Sequence, residues 1–221
     1  MNRIKFHNMD CMDFMKKIPD NHYELAIVDV PYGGEDATNI KSTKGLGTNH
    51  YAKRTEFEQF ENIAPDLEYF KELERVSKNR IIWGFNFLEN CYERGGIIVW
   101  NKYGTAFGEA EIALATMFNS VRIYNLRWNG FLKHEGAEEI KRWHSTAKPR
   151  RLYEYLLLNY AKKDYKILDT HGGSMSIARA VYDVNKKEKM NLTLDVVEIS
   201  KTFYEKGMND FNQHTSQQTL F

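Results

Sequence analysis

Cysteine and proline are both scarce in this chain, with two cysteines and four prolines among 221 residues. Cys11 and Cys91 lie far apart and lack the paired spacing of a zinc ribbon or a disulfide framework, so a reducing compartment is expected and metal chemistry is not. An excess of charge is missing too: 31 lysines and arginines face 30 acids, for a net charge of +1. A polyanion partner would therefore be met by a local basic cluster rather than by the field of the whole domain. No apolar run approaches the about 20 residues of a membrane span, and Met1-Asn2-Arg3-Ile4-Lys5-Phe6 lacks the apolar core of a signal peptide. A soluble cytoplasmic protein with no membrane partner is the expectation, and the chain shows neither internal repeats nor low-complexity tracts.

What the sequence does contain is enough apolar residue, 42%, to bury one substantial core, which predicts a single domain over 1–221. Short apolar runs at Ile4 to Phe6, Leu25 to Val28, Arg80 to Trp83, Ile97 to Trp100, Lys166 to Leu168 and Leu192 to Val197 alternate with helical patterns. Leu67, Phe70, Leu73 and Val76 recur at helical spacing behind Pro65, and Leu152, Tyr155, Leu156 and Asn159 do so behind Pro149. This alternation predicts an α/β fold with a mostly parallel sheet. Between Glu111 and Trp128 the pattern is instead strand after strand, with Val121, Ile123 and Leu126 alternating around an Asn119-Ser120 turn, so an antiparallel hairpin edge is expected there. Two long irregular stretches remain, Gly33 to Asn62, read as a mobile loop over 33–62, and Gly130 to Thr146, and long loops of this kind are commonly functional; a recognition region is expected over 102–143.

Two strand ends carry chemistry. Asp29-Val30-Pro31-Tyr32 follows the buried run Leu25-Ala26-Ile27-Val28 and sets a carboxylate, a stiff turn and an aromatic ring together. The same residues also read as an ordinary strand end and turn. Ile167-Leu168-Asp169-Thr170-His171-Gly172-Gly173-Ser174 joins a strand, a glycine turn and a helical run through Ile177, Ala178 and Val181, which is a nucleotide-type binding corner. Glu198 ends the next apolar run, where a carboxylate accepts hydrogen bonds from ribose hydroxyls.

Together these motifs resemble the S-adenosylmethionine-dependent DNA amino-methyltransferases, and their order resembles the beta class of that family. Asp29 to Tyr32 resembles the catalytic D-P-P-Y motif, and Asp169, Gly173 and Ser174 match D-P-F-x-G-S-G-T, with Tyr204 beyond the acid Glu198. His144-Ser145-Thr146-Ala147-Lys148-Pro149 resembles H-P-T-x-K-P, and Asn8-Met9-Asp10-Cys11 the G-D-C near the start. Val30, Thr170, His171 and Met175 depart from the family letters. Catalytic motif precedes cofactor motif, so the resemblance implies a circularly permuted, Rossmann-like methyltransferase sheet. It implies S-adenosyl-L-methionine as methyl donor, held by Asp10, Thr146, Lys148, Asp169, His171, Gly173, Ser174 and Glu198, with no metal. Within that set Thr146 and Lys148 would meet the donor's carboxylate and Asp10 its adenine amino group, although Asp10 reads equally as a helix N-cap.

The implied catalysis is direct transfer to a flipped-out base. An exocyclic amine is a weak nucleophile because its lone pair is delocalised into the ring, and the Asp29 carboxylate with the Val30 carbonyl would accept its two hydrogens while Tyr32 stacks on the base. The segments Ile97 to Lys102, Glu109 to Ala113 and Arg127 to Gly130 resemble small phage-type adenine methylases, so adenine in double-stranded DNA of a bacterial or phage-infected cell is the expected target. Cytosine N4, RNA and a non-catalytic DNA-binding relative are the alternatives. Trp100 and Trp128 are expected in the core. Lys41, Lys44, Lys53 and Arg54 follow the tetrad among glycines and would clamp phosphates, or else form a solvated surface loop. The short recognition region implies a short target or help from a second subunit, hence a homodimer partner.

Overall fold

The computed structural model describes residues 3–33, 62–105, 108–127 and 147–217. The apolar runs become strands of one sheet: β1 (Ile4–His7), β2 (Leu25–Val28), β3 (Arg80–Trp83), β4 (Gly96–Thr105), β5 (Gly108–Ala115), β6 (Val121–Asn125), β7 (Lys166–Asp169) and β8 (Thr193–Val197). Among the described residues five α-helices accompany them: α1 (Cys11–Met15), α2 (Leu67–Val76), α3 (Arg150–Tyr160), α4 (Ser176–Glu188) and α5 (Lys201–Gln217). The strands lie in the order β1-β8-β7-β2-β3-β5-β4-β6. Among the described strands only β5 runs antiparallel to its neighbours, and the other pairings are parallel.

β2 and β3 are buried at every position, which is why they read as unbroken apolar runs rather than as alternating ones. Their side chains divide between two cores. Leu25, Ile27, Ile81 and Trp83 pack with Leu152, Leu156, Ile177 and Val181 of α3 and α4, while Ala26, Val28 and Ile82 pack with Phe14 and Met15 of α1 and Phe70 and Leu73 of α2. Burying one such leucine completely contributes about 2 to 3 kcal/mol. Asp66 caps α2 by accepting the Tyr69 N–H at 3.0 Å. In this helix Tyr69 joins Phe70, Leu73 and Val76 inside, and Leu67, expected on the inner stripe, lies exposed at the first position. Lys186, Lys187 and Glu188 complete α4, where the two lysines favour the negative end of the helix dipole.

The expected antiparallel hairpin is present but lies one strand earlier. β4 pairs antiparallel with β5, Ile97 opposite Leu114, and β6 then pairs with β4 in parallel, Ile97 opposite Val121. The chain after β5 turns around the start of β4, where Gly96 N–H donates to the Phe118 carbonyl at 2.5 Å and Ile97 N–H to that of Ser120 at 3.0 Å. Alternation along Val121 to Leu126 reports an extended strand and cannot report its partner. The apolar β4 gains from lying between two strands, which buries Ile98 and Trp100.

The connections fix where a ligand can enter. The helix after β2 covers one face of the sheet and the helix after β7 covers the other, while β2 and β7 are neighbours. The chain leaves these two strands in opposite directions, so their carboxyl ends open a crevice at a topological switch point. No helix among the described residues is long and apolar enough to cross a membrane.

Candidate active site

Asp29 follows the last residue of β2 and faces this crevice. Its Oδ1 accepts hydrogen bonds from the Tyr32 hydroxyl at 2.7 Å and from Lys148 Nζ at 2.5 Å. The tetrad is thus held by its own ends, with carboxylate and phenol joined across Val30 and Pro31. Gly84, directly after β3, has φ of +65°, and a Cβ there would stand 2.1 Å from the Tyr32 ring. Only glycine accepts both the left-handed backbone and the approach of that ring. On its other side of the turn the ring stacks with Phe87, centroids 5.6 Å apart, and Phe87 is 60% exposed. Burial, and next the Asp29 carboxylate, raise the Tyr32 phenol well above its ordinary range, so the hydroxyl remains a donor.

Lys148 is 6% exposed and lies beside the rings of Trp83 and Tyr32, at 5.3 and 5.9 Å from their centroids. Burial alone would favour the neutral amine, but Asp29, Tyr32 and Glu111 outweigh it and hold the ammonium well above its usual range. Glu111 Oε2 is 3.2 Å from Lys148 Nζ, and Glu111 Oε1 bonds Lys102. Burial opposes ionisation of Glu111, yet Lys148 and then Lys102 keep its carboxyl below the ordinary value. Lys148 therefore sits between two carboxylates, Asp29 and Glu111, beside the turn that follows β2.

Across the crevice, Asp169 ends β7 and is 2% exposed. Its Oδ1 accepts the His171 N–H at 3.0 Å. Burial first, and then the Asp29 and Glu198 carboxylates, push its carboxyl up to about 7. His171 is partly buried, and the loss of solvent around it lowers its imidazole to about 4, so the ring is neutral at pH 7. Thr170, where the resembled motif has proline, uses its hydroxyl: the Tyr69 hydroxyl lies 2.7 Å and His171 Nδ1 2.9 Å from its Oγ1. Glu198 spans the glycine turn, accepting Gly173 N–H at 2.7 Å and Ser200 N–H at 2.8 Å, while burial raises its carboxyl against those donors. Ser174 Oγ is 2.9 Å from Ser176 Oγ. Met175 stands where the motif has its second glycine and keeps the left-handed conformation glycine would take, φ +56°. That costs a non-glycine residue about 1 to 2 kcal/mol. Full burial of its side chain beside Gly172 and Gly207 offsets the cost.

Asp10 caps α1, accepting Met12 N–H at 2.8 Å and Asp13 N–H at 3.0 Å through Oδ1. Thr146, Lys41, Lys44, Lys53, Arg54, Trp128 and most of the 33–62 loop fall outside the described residues, as do 128–143 of the recognition region. The remainder of 102–143 contributes the end of β4 with β5 and β6 to the sheet. Burial raises both cysteines, Cys11 to about 12, so neither is a thiolate nucleophile at pH 7. Among the described residues no cluster of histidine, cysteine and acid is arranged to hold a metal.

Sequence reasoning did not single out Glu111, Lys102, Tyr69 or Gly84 as members of this site. Glu111 carried a signal, being with Glu109 one of two charged residues in a strand of otherwise small and apolar side chains. It lies opposite Trp100 and shares that residue's buried face.

No protein-family model and no curated protein matches the chain. Solved structures do. M1.HpyAVI in complex with SAM is 14% identical with a TM-score of 0.55, over 94% of this chain and 99% of that one. The Thermus thermophilus protein TTHA0409, complexed with S-adenosyl-L-methionine, is 12% identical with a TM-score of 0.54, over 95% of both chains. PvuII DNA methyltransferase, cytosine-N4-specific, is 10% identical with a TM-score of 0.55, over 97% of this chain and 93% of that one. With sequence identity this low the likeness speaks for architecture, and the chain has the α/β fold of S-adenosylmethionine-dependent methyltransferases.

Proposed function

We propose that this protein transfers the methyl group of S-adenosyl-L-methionine to the exocyclic amino nitrogen of adenine in double-stranded DNA. The observation that carries this reading is the meeting, at the switch point of the sheet, of the tyrosine-anchored Asp29 with the acid and glycine turn of Asp169 to Ser174 and Glu198. The known methyltransferase structures of like fold, two of them holding the donor, support it.

The residues fit such a donor. Asp169 is a buried carboxyl that makes no ion pair among the described residues, and a cation beside it would favour its ionised form. Glu198 ends β8 as an acceptor for ribose hydroxyls, and the neutral His171 adds no charge to repel a sulfonium. S-adenosylmethionine, when bound, supplies a methyl group on positive sulfur, which departs as a neutral thioether. Asp29 and the Val30 carbonyl accept the two amine hydrogens and turn the nitrogen lone pair out of the ring. Its new bond to carbon forms as the sulfur bond breaks, and the nitrogen then sheds one proton toward these acceptors. Tyr32 and Phe87 offer aromatic faces to a flipped base, which recover part of the few kcal/mol lost on unstacking. Lys41, Lys44, Lys53 and Arg54 would supply the salt-sensitive phosphate contacts.

Cytosine N4 is the second reading, favoured by the fold shared with the cytosine-N4-specific PvuII enzyme. The test is transfer of labelled methyl to duplex DNA by wild type and Asp29→Ala, followed by nucleoside mass spectrometry. Methylated adenine from wild type alone is the expected result. Methylated cytosine would move the target to the second reading, and donor binding without transfer to DNA or RNA would refute catalysis.

A further inference from the structure

We infer that Glu111 is a positioning residue for the proposed transfer, anchoring Lys148 so that Lys148 can orient the Asp29 carboxylate without claiming it outright. The inference rests on the reading of Asp29 as the residue that holds the target amine. Four charges alternate through the sheet end: Lys102 on β4, Glu111 on β5, Lys148 before α3 and Asp29 after β2. Lys102 and Lys148 are each less than a tenth exposed, so these charges exist only as partners of one another. Lys148 and the Tyr32 hydroxyl both bond Asp29 Oδ1, and among the described residues no hydrogen bond reaches Oδ2. Anchoring one oxygen through two donors leaves the other aimed for an incoming amine, which is the preorganisation that such chemistry requires.

Glu111 determines how strongly Lys148 draws on Asp29. With Glu111 ionised, the ammonium is shared between two carboxylates, at 2.5 Å from Asp29 and 3.2 Å from Glu111. Without it, an entire buried positive charge falls on Asp29 alone. The carboxylate then becomes a poorer acceptor for a neutral amine, and the positive charge that develops on nitrogen meets an unbalanced ammonium nearby. Lys102 completes the balance, lying over the Trp100 ring at 4.6 Å and bonding Glu111 in turn. The four groups sum to zero charge.

The experiment compares wild type, Glu111→Gln, Lys148→Met and the double variant in steady-state methyl transfer, with calorimetry of S-adenosylmethionine binding. Glu111→Gln is expected to lower kcat by about tenfold or more while leaving donor affinity within about twofold. In the Lys148→Met background the same change should have little further effect on kcat, because the ammonium through which Glu111 acts on Asp29 is gone, and the unpaired Lys102 lowers stability rather than turnover. A purely structural role would produce the same loss in both backgrounds. Should Glu111→Gln fail to fold, Lys102→Gln with Glu111→Gln removes one charge of each sign and is expected to show the same loss of kcat. Undiminished kcat in either Glu111 variant, or additive losses in the cycle, overturns this role and leaves the proposed function standing. A wild type that methylates nothing overturns the proposed function itself, and the role of Glu111 with it.

Discussion

Replacing Asp169 by asparagine should make the unliganded protein more stable at neutral pH, and the gain should grow with pH. The carboxyl lies at the end of β7, 2% exposed, and burial together with Asp29 and Glu198 raises it to about 7. In an unfolded chain it titrates near its ordinary value of about 3.9. Because the folded value is the higher one, the folded protein binds more protons between these limits. Its stability from this group is fully present below about pH 4 and is lost as the pH rises through about 7. A gap of about three pH units at 1.36 kcal/mol each is worth about 4 kcal/mol in all, of which roughly 3 kcal/mol falls between pH 5 and pH 8. Asparagine retains an oxygen for the His171 N–H and does not ionise in this range. Urea denaturation of both proteins at intervals from pH 5 to pH 8 measures the difference directly. His171, whose imidazole burial lowers to about 4, destabilises both proteins alike as the pH falls below about 6.5, so it cancels in the comparison. A difference that stays constant with pH would refute the claim that Asp169 is buried at an energetic cost. The same carboxyl should favour a cationic ligand more strongly as it ionises, so S-adenosylmethionine binding should strengthen from pH 6 to pH 8 in wild type and not in Asp169→Asn.

Gly84→Ala would put a methyl group 2.1 Å from the Tyr32 ring on a backbone of φ +65°, so the ring must leave Asp29. We expect a loss of about 1 to 3 kcal/mol of stability and a deep loss of methyl transfer with donor affinity retained; wild-type turnover would show that the Tyr32 contact is dispensable. Glu198→Gln removes the charge from an acceptor that already holds the Gly173 and Ser200 N–H groups. Donor binding should weaken by about 1 to 3 kcal/mol in calorimetry, and an unchanged affinity would take Glu198 out of the donor site.

Much of the architecture was legible because buried parallel strands and amphipathic helices obey local rules. The runs at Leu25 to Val28 and Arg80 to Trp83 became β2 and β3 at those same residues, since a strand covered on both faces needs apolar side chains throughout. The helices begin at Pro65-Asp66 and Pro149 because capping and the geometry of proline act over a few residues. The pairing of β6 was not legible. Whether β6 joins β5 or β4 depends on which arrangement buries β4, and that competition is settled between segments rather than within one.

The candidate site divides along the same line. The sequence alone determined that a carboxylate and an aromatic follow one buried strand, and that an acid and a glycine turn follow another, because these are properties of adjacent residues. That Asp29 and Asp169 face one another follows from β2 and β7 being neighbours, although far apart along the chain. The setting of Lys148 was likewise decided in three dimensions. Its place beside a helix start suggests a ligand for the donor's carboxylate, whereas its contacts with Asp29 and Glu111 exist only in the folded sheet. A buried ammonium must find its countercharge wherever the packed sheet supplies one, and only the assembled sheet brings Glu111 of β5 within reach.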